Sequence, residues 1–338
     1  MSCCDDYLPY RLLTGVEQHS FIVKTDGETV VLSGSLRTCP CSSALFWNCN
    51  YRAFDVLVLE KDFCPEKNVL MMSSDQTGQC YHWILLSNGR LMLKNHNGVR
   101  GQILNLTGLT FSRAFGNRLT LINKWNAASI EYRSPCVYKT GDLVMFSGVM
   151  SVSGTFSSHF ATLPETYRPP YRQRYAVPAA NGKATVEVWP NGHCFVQIES
   201  LGFISLDGIR YKTQPALPPL MLIDNYDNNL TPINGWENVG NNYAPLTVSV
   251  CGIWIILNGA IKYACENESL ENNSLITQIP LQYAPVNDLL FYSNSSEDDY
   301  PLIPIMIHKN GQIKYLGPKN RLCKITLSAI LFPRYYLS

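Results

Sequence analysis

The 338-residue sequence is poor in charge: Asp, Glu, Lys and Arg together make 16% of it, well under the quarter usual for soluble proteins. Twenty-seven basic and 26 acidic residues leave a net charge of +1, and no Lys- or Arg-rich run occurs. An electrostatic grip on nucleic acid or on anionic lipid is therefore not expected. Long hydrophobic runs are missing too. Stretches such as Ile253 to Leu257 and Leu302 to Ile307 fall far short of the roughly 18 residues that a membrane span needs, so no membrane insertion is expected. The opening Met-Ser-Cys-Cys-Asp-Asp is acidic where a secretory leader would be basic and then apolar, so synthesis in a cytoplasm is expected.

Helical periodicity is almost wholly lacking, as is every familiar catalytic signature: no His-Glu-x-x-His, no Gly-x-Ser-x-Gly, no phosphate-binding loop and no dinucleotide-binding glycine pattern. A non-enzymatic protein without cofactor or metal is the expectation. Cysteine is plentiful, with 12 residues, but their positions do not recur in register, which speaks for free thiols over a disulfide framework. Cys39-Pro-Cys41 with Cys49 has no fourth zinc ligand at a familiar spacing.

What the sequence does contain is a repeat. An apolar strand ending in glycine occurs three times, at Thr29-Val-Val-Leu-Ser-Gly34, Leu143-Val-Met-Phe-Ser-Gly148 and Trp254-Ile-Ile-Leu-Asn-Gly259. An Asn-Gly hairpin signal follows in each copy, ending at Gly89, Gly192 and Gly311, where both turn positions are expected to take positive φ. Closing strands share a pattern at Leu106 to Phe111, Leu206 to Tyr211 and Leu327 to Phe332. A corner centred on Tyr51, Tyr167 and Tyr283 recurs at a constant spacing of 116 residues, with an insertion in copy one expected around Phe63 to Cys80. Copies two and three open with Ile-Asn-x-Trp, and Trp125 and Trp236 each precede the anchor glycine by 23 residues; in copy one that offset lands on Arg11.

These anchors predict an all-β chain of three tandem β-sandwich, jelly-roll-like modules at 1–112, 113–217 and 218–338. Short Val-, Ile-, Thr- and Tyr-rich runs are punctuated every ten or so residues by turn formers. Modules of this size have small cores and exposed edges, so they are expected to associate. The chain would form either a pseudo-threefold monomeric head or a homotrimer of nine modules.

Copy two carries Leu163-Pro-Glu-Thr-Tyr-Arg-Pro169, the hairpin Asn181 to Gly192 and the closing run Phe203-Ile-Ser-Leu-Asp-Gly-Ile-Arg-Tyr211. Together with Gly141 to Gly148 these resemble the knob module of bacteriophage tail-fibre and baseplate receptor-binding proteins. The likeness covers about 95 residues of copy two in detail, and the other copies only through their anchors. It implies a structural virion protein on the tail or particle surface, partnered by other virion proteins and binding a host cell-surface glycan. The alternatives are a fibre-borne polysaccharide depolymerase and a head decoration or collar scaffold without receptor binding. Within copy two, Tyr167, Arg168, Tyr171, Arg172, Arg174 and Tyr175 interleave rings with guanidiniums. That pattern suits either stacking on sugars or a contact between subunits.

Overall fold

In the computed structural model, the residues described are 9–13, 16–18, 20–38, 47–48, 53–75, 79–94, 102–113, 116–180, 182–198, 200–213, 227–264, 270, 273–295, 302–318, 324–328 and 330–334. The chain is all-β and β-sandwich-like. Its helical elements among the described residues are three single turns of 3-10 helix, Lys61–Phe63, Glu165–Tyr167 and Leu281–Tyr283. Every pairing between the described strands is antiparallel, and an isolated bridge between Asn68 and Tyr132 is parallel.

In the middle third, four strands lie in the order Asn117–Arg118, Cys136–Thr140, Leu143–Ser147, Arg210–Lys212. Seven more lie in the order Asn126–Ala127, Val149–Val152, Gly202–Ser205, Gln173–Ala179, Gly182–Val188, His193–Gln197, His159–Thr162. The last third repeats both orders strand for strand, from Asp227–Asn229 to Leu331–Pro333 and from Trp236–Asn238 to Ser274–Gln278. In the first third the longer order is split between Ile103–Asn105 and Val69–Ser74. Each third buries its own apolar cluster drawn from both sheets; in the middle one, Val144, Phe146 and Tyr211 of the four-stranded sheet meet Met150, Val186 and Ile204 of the other. Removing that apolar surface from water is the main favourable term in folding.

The anchors have a common physical basis. Gly34, Gly148 and Gly259 take φ of +95°, +103° and +126°, and a Cβ there would meet the Ser20, Ser134 and Pro245 carbonyl oxygens at 1.9, 2.6 and 2.6 Å. Only glycine fits. The N–H of each is accepted by an equivalent residue of the closing turn: Thr107 Oγ1 at 3.0 Å, Asp207 Oδ1 at 3.3 Å and Ser328 Oγ at 3.4 Å. Gly89, Gly192 and Gly311 also take positive φ, but Asn88, Asn191 and Asn310 do not. The expected turn with two left-handed residues is therefore corrected to a turn with one. Each asparagine instead keeps ordinary φ and accepts the N–H two residues on, at 3.2, 3.0 and 3.1 Å, as an Asx turn does.

Ile-Asn-x-Trp serves to cover a sheet edge. Ile122 N–H donates to Phe160 O at 2.9 Å, Asn123 Nδ2 to His159 O at 2.7 Å, and Trp125 Nε1 to Ser157 O at 2.9 Å. Ile233, Asn234 and Trp236 make the matching bonds to Ile276 O, Leu275 O and Ser274 Oγ. In the first third the strand Tyr10–Leu12, which holds Arg11, pairs along Ala53–Leu59 and covers the equivalent edge. Trp125 and Trp236 are both buried.

One anchor is corrected. The corner of the first third is the turn Lys61–Phe63, not Tyr51 to Ala53: Phe63, Tyr167 and Tyr283 each stand six residues ahead of the next strand, at Val69, Gln173 and Leu289. Ala53 opens a strand, and Tyr51 and Arg52 lie outside the described residues. No insertion separates Phe63 from Val69; the extra length of the first third lies between Thr38 and Ala53.

The three thirds converge. Val31, Met145 and Ile256 stand at the same offset before their anchor glycines and meet in one buried cluster, with Leu143, Trp254, Tyr138 and Leu331 around them. The three hairpins that carry them also contact one another in a ring. Thr140 Oγ1 is 2.5 Å from Glu28 Oε2, Cys251 lies beside Leu143 and Lys212, and Trp254 Nε1 donates to Asp26 Oδ2 at 2.7 Å. No helix of the described residues is long and apolar enough to cross a membrane.

Candidate binding site

The six-residue Tyr/Arg segment does not form one exposed surface. Tyr175 is buried and donates to Arg210 O at 2.6 Å, because the alternation of the strand Gln173–Ala179 turns it inward beside Val177. Arg174 is buried 3.6 Å from Glu187. Arg168 Nε donates to Leu163 O at 3.1 Å, and the Tyr167 carbonyl accepts Tyr211 OH at 2.6 Å. Tyr171 alone of the six counts as exposed. Arg172 makes two 2.6 Å bonds to Glu187, lies over the rings of Trp189 and Tyr243, and donates its backbone N–H to Asn242 O at 2.9 Å. Through Arg172 the segment meets the last third, at Asn242 and Tyr243.

That contact is one of three equivalent junctions. Between the first and middle thirds, Asn68 N–H donates to Glu131 O at 3.2 Å, the counterpart of the Arg172 bond to Asn242, and Ser205 Oγ donates to Leu70 O at 2.8 Å. Between the last and first thirds, Asn105 Nδ2 donates to Leu290 O at 2.9 Å, the counterpart of the Ser205 bond. The backbone frame recurs, and the side chains that fill it differ.

The first junction is filled with apolar groups. Leu70 and Ile84, paired across two strands, pack with Leu86, Val149, Tyr132 and Phe203, and Lys94 Nζ lies 5.2 Å from the Phe203 ring. At the second, Arg174 and Glu187 take the places of Leu70 and Ile84, and the ion-pair cluster fills the space. At the third those places hold Leu290 and Met306, while Ser35 stands where the first has Val149 and Ile103 where it has Phe203. Smaller and less apolar groups leave an open crevice of about 550 Å³ there.

Leu290, Met306 and Ile103 give the crevice apolar surface, and Ile103 is 45% exposed. Ser35, Gln102, Asn105 and Thr107 add hydroxyls and amides. Ser20, Gly34, Asp75 and Tyr81 of the first third and Asp288 of the last complete the lining. Asp75 accepts Gln79 N–H and Tyr81 O–H, each at 3.1 Å. Burial, reinforced by the Asp75 charge, pushes the Tyr81 phenol up, so it stays a neutral donor. Asp288 accepts Lys309 N–H at 2.9 Å and lies 2.9 Å from His308 Nδ1. Burial alone would raise its carboxyl, but these hydrogen bonds and the neighbouring positive charges outweigh it and hold the group below the ordinary carboxylate range.

The crevice residues come from separated strands of two thirds, and sequence reading missed all of them as a site. A second cavity, where the three thirds converge beside Met72, Ala176 and Tyr292, is much smaller, about 80 Å³. Cys39, Cys41 and Cys49 lie outside the described residues. No protein-family model matches the chain, and no curated protein matches it.

Proposed function

We propose that the chain is a non-enzymatic virion-surface protein of a tailed phage, that its three modules close into a single pseudo-threefold head, and that the crevice between its last and first modules binds a host-surface glycan. The observation that carries this reading is the broken equivalence of the junctions: one backbone frame, closed twice by well-packed side chains and left open once. An open junction with that lining is a poor way to stabilise a fold and a good way to hold a sugar. Apolar side chains suit the C–H face of a pyranose, and fixed hydroxyl, amide and carboxylate groups suit its hydroxyls. The tail-fibre pattern of Leu163 to Tyr211 supports the virion assignment.

The test is a glycan array probed with the intact chain and with Ser35→Leu, which refills the crevice. Binding by the wild type and its loss in the variant, with an unchanged melting temperature, is the expected result. No binding to any glycan by a folded wild-type chain would sink the reading.

A second reading rests on one observation. The crevice gathers a carboxylate from each of two modules, Asp75 and Asp288, and polysaccharide cleavage uses a carboxyl pair. One member of such a pair must be held protonated as the general acid, and Asp288 is held in the opposite direction. Release of reducing ends from a bound glycan, abolished in Asp75→Asn, would favour the depolymerase reading.

A further inference from the structure

One strand position is filled in the middle and last thirds and open in the first. In the middle third Asn117–Arg118 pairs with the outer edge of Cys136–Thr140, and in the last third Asp227–Asn229 pairs with that of Thr247–Cys251, both antiparallel. The equivalent strand of the first third is Ile22–Thr25, since Lys24 pairs with Val31 as Tyr138 does with Met145 and Ser249 with Ile256. Among the described residues its one neighbour is Thr29–Ser33, and no strand pairs with its outer edge.

The cause lies in the entering chain. Leu13 N–H donates to Val56 O at 3.2 Å and Val16 N–H to Leu13 O at 3.1 Å, repeating the bonds of Ile122 to Phe160 and of Trp125 to Ile122, so Pro9 stands where Arg118 does. Pro9 O accepts Glu60 N–H at 2.9 Å, and Tyr10–Leu12 runs on along Ala53–Leu59, which draws the chain to the other sheet. Side chains replace the missing strand at one place only. Phe21 O accepts Tyr10 O–H at 3.2 Å and Gln18 Nε2–H at 3.1 Å, where Pro135 O and Leu246 O accept the N–H of Leu119 and Leu230. Asp26 N–H is turned inward to Thr29 O, so antiparallel alternation turns the N–H and C=O of Thr25 and Val23 outward. A row of outward main-chain groups is a template for a further strand.

We infer that this edge takes an extended segment of a partner protein, added antiparallel as the fourth strand of its sheet. In the other two thirds the place is taken by chain arriving from outside the module, after the closing strand of the third before it. At the first third a partner's chain has that role. Main-chain bonds to Val23 and Thr25 supply the affinity. Charge sets a preference: Asp227 lies opposite Ser249, and the first third has the exposed Lys24 in the place of Ser249, so a segment with a carboxylate opposite Lys24 is favoured.

Amide hydrogen exchange of the intact chain, alone and with a synthetic peptide of residues Asp224 to Thr231, tests this. The peptide stands in for the partner because it carries the segment that fills the place in the last third. The Val23 and Thr25 amides should exchange fast in the chain alone and be protected severalfold by millimolar peptide. Thr25→Pro removes an outward N–H that the fold does not use; it should leave the melting temperature unchanged and weaken peptide binding roughly tenfold. A peptide with Asp227→Lys should bind less well to the wild type and regain affinity for Lys24→Glu. Protection of both amides in the chain alone would mean that its own residues or a second copy already fill the edge, and would overturn the assignment. So would a peptide that leaves both amides unprotected. If Thr25→Pro does not fold, exchange in the wild type decides alone.

Discussion

The junction between the first and middle thirds and the junction between the last and first share a hydrogen bond, Ser205 Oγ to Leu70 O in one and Asn105 Nδ2 to Leu290 O in the other, yet one is a closed apolar seam and the other an open crevice. The difference comes down to a few positions on a common frame. Val149 against Ser35 and Phe203 against Ile103 decide whether the space closes. A repeated backbone thus lets one junction serve stability while its counterpart is released for binding.

The sharpest way to break the comparison is to place the same carboxylate in both seams. Leu70→Asp buries an unpaired charge in the apolar seam and should cost roughly 3–5 kcal/mol in denaturant unfolding. Leu290→Asp, at a partly exposed position beside the crevice, should cost under about 1.5 kcal/mol. Equal losses would mean that the two junctions do not differ as described.

The middle-to-last junction gives the next largest effect. Arg172→Ala leaves buried Glu187 with Arg174 at 3.6 Å as its remaining ion-pair partner, and should cost about 2 kcal/mol by the same measurement. A loss within error would show that this seam gains nothing from its ion pair.

Asp207 sharpens the comparison of turns. It accepts the Gly148 N–H, as Thr107 and Ser328 do for their glycines, but brings a buried carboxyl that burial pushes upward. A raised pKa means that the folded state holds the proton more tightly than the unfolded chain. The contribution is therefore fully present below the unfolded value, about 3.9, and is lost as pH rises through the folded one. Melting of Asp207→Asn against the wild type across pH 3 to 8 should show the variant gaining relative stability over that rise. A difference that does not change with pH would contradict the assignment.

The smallest expected change is Ser35→Val, which puts the side chain of the first junction into the third. It should alter stability by less than about 1 kcal/mol and weaken any crevice ligand severalfold, read by melting and by titration.

Legibility in the sequence followed the backbone. Anchor glycines and Asn-Gly turns were readable because positive φ and a carbonyl 1.9–2.6 Å from a would-be Cβ leave glycine no substitute. The corner of the first third was misplaced because Tyr51 lies at the expected spacing by coincidence. The true corner, Lys61-Asp-Phe63, shares with the others only a single helical turn that accepts many residues. Tyr175 was misread although its strand alternates with period two, a signal that would have turned it inward beside Val177. The crevice could not have been read at all, because it is made where residues far apart in the chain, such as Ser35 and Asp288, meet across two thirds.

Closure of three thirds of one chain around the cluster of Val31, Met145 and Ile256 underlies everything proposed for the crevice. Sedimentation equilibrium of the isolated chain at micromolar concentration tests it most directly. The mass of a single chain, unchanged on dilution, is the predicted result, and a stable species of three times that mass would contradict the account.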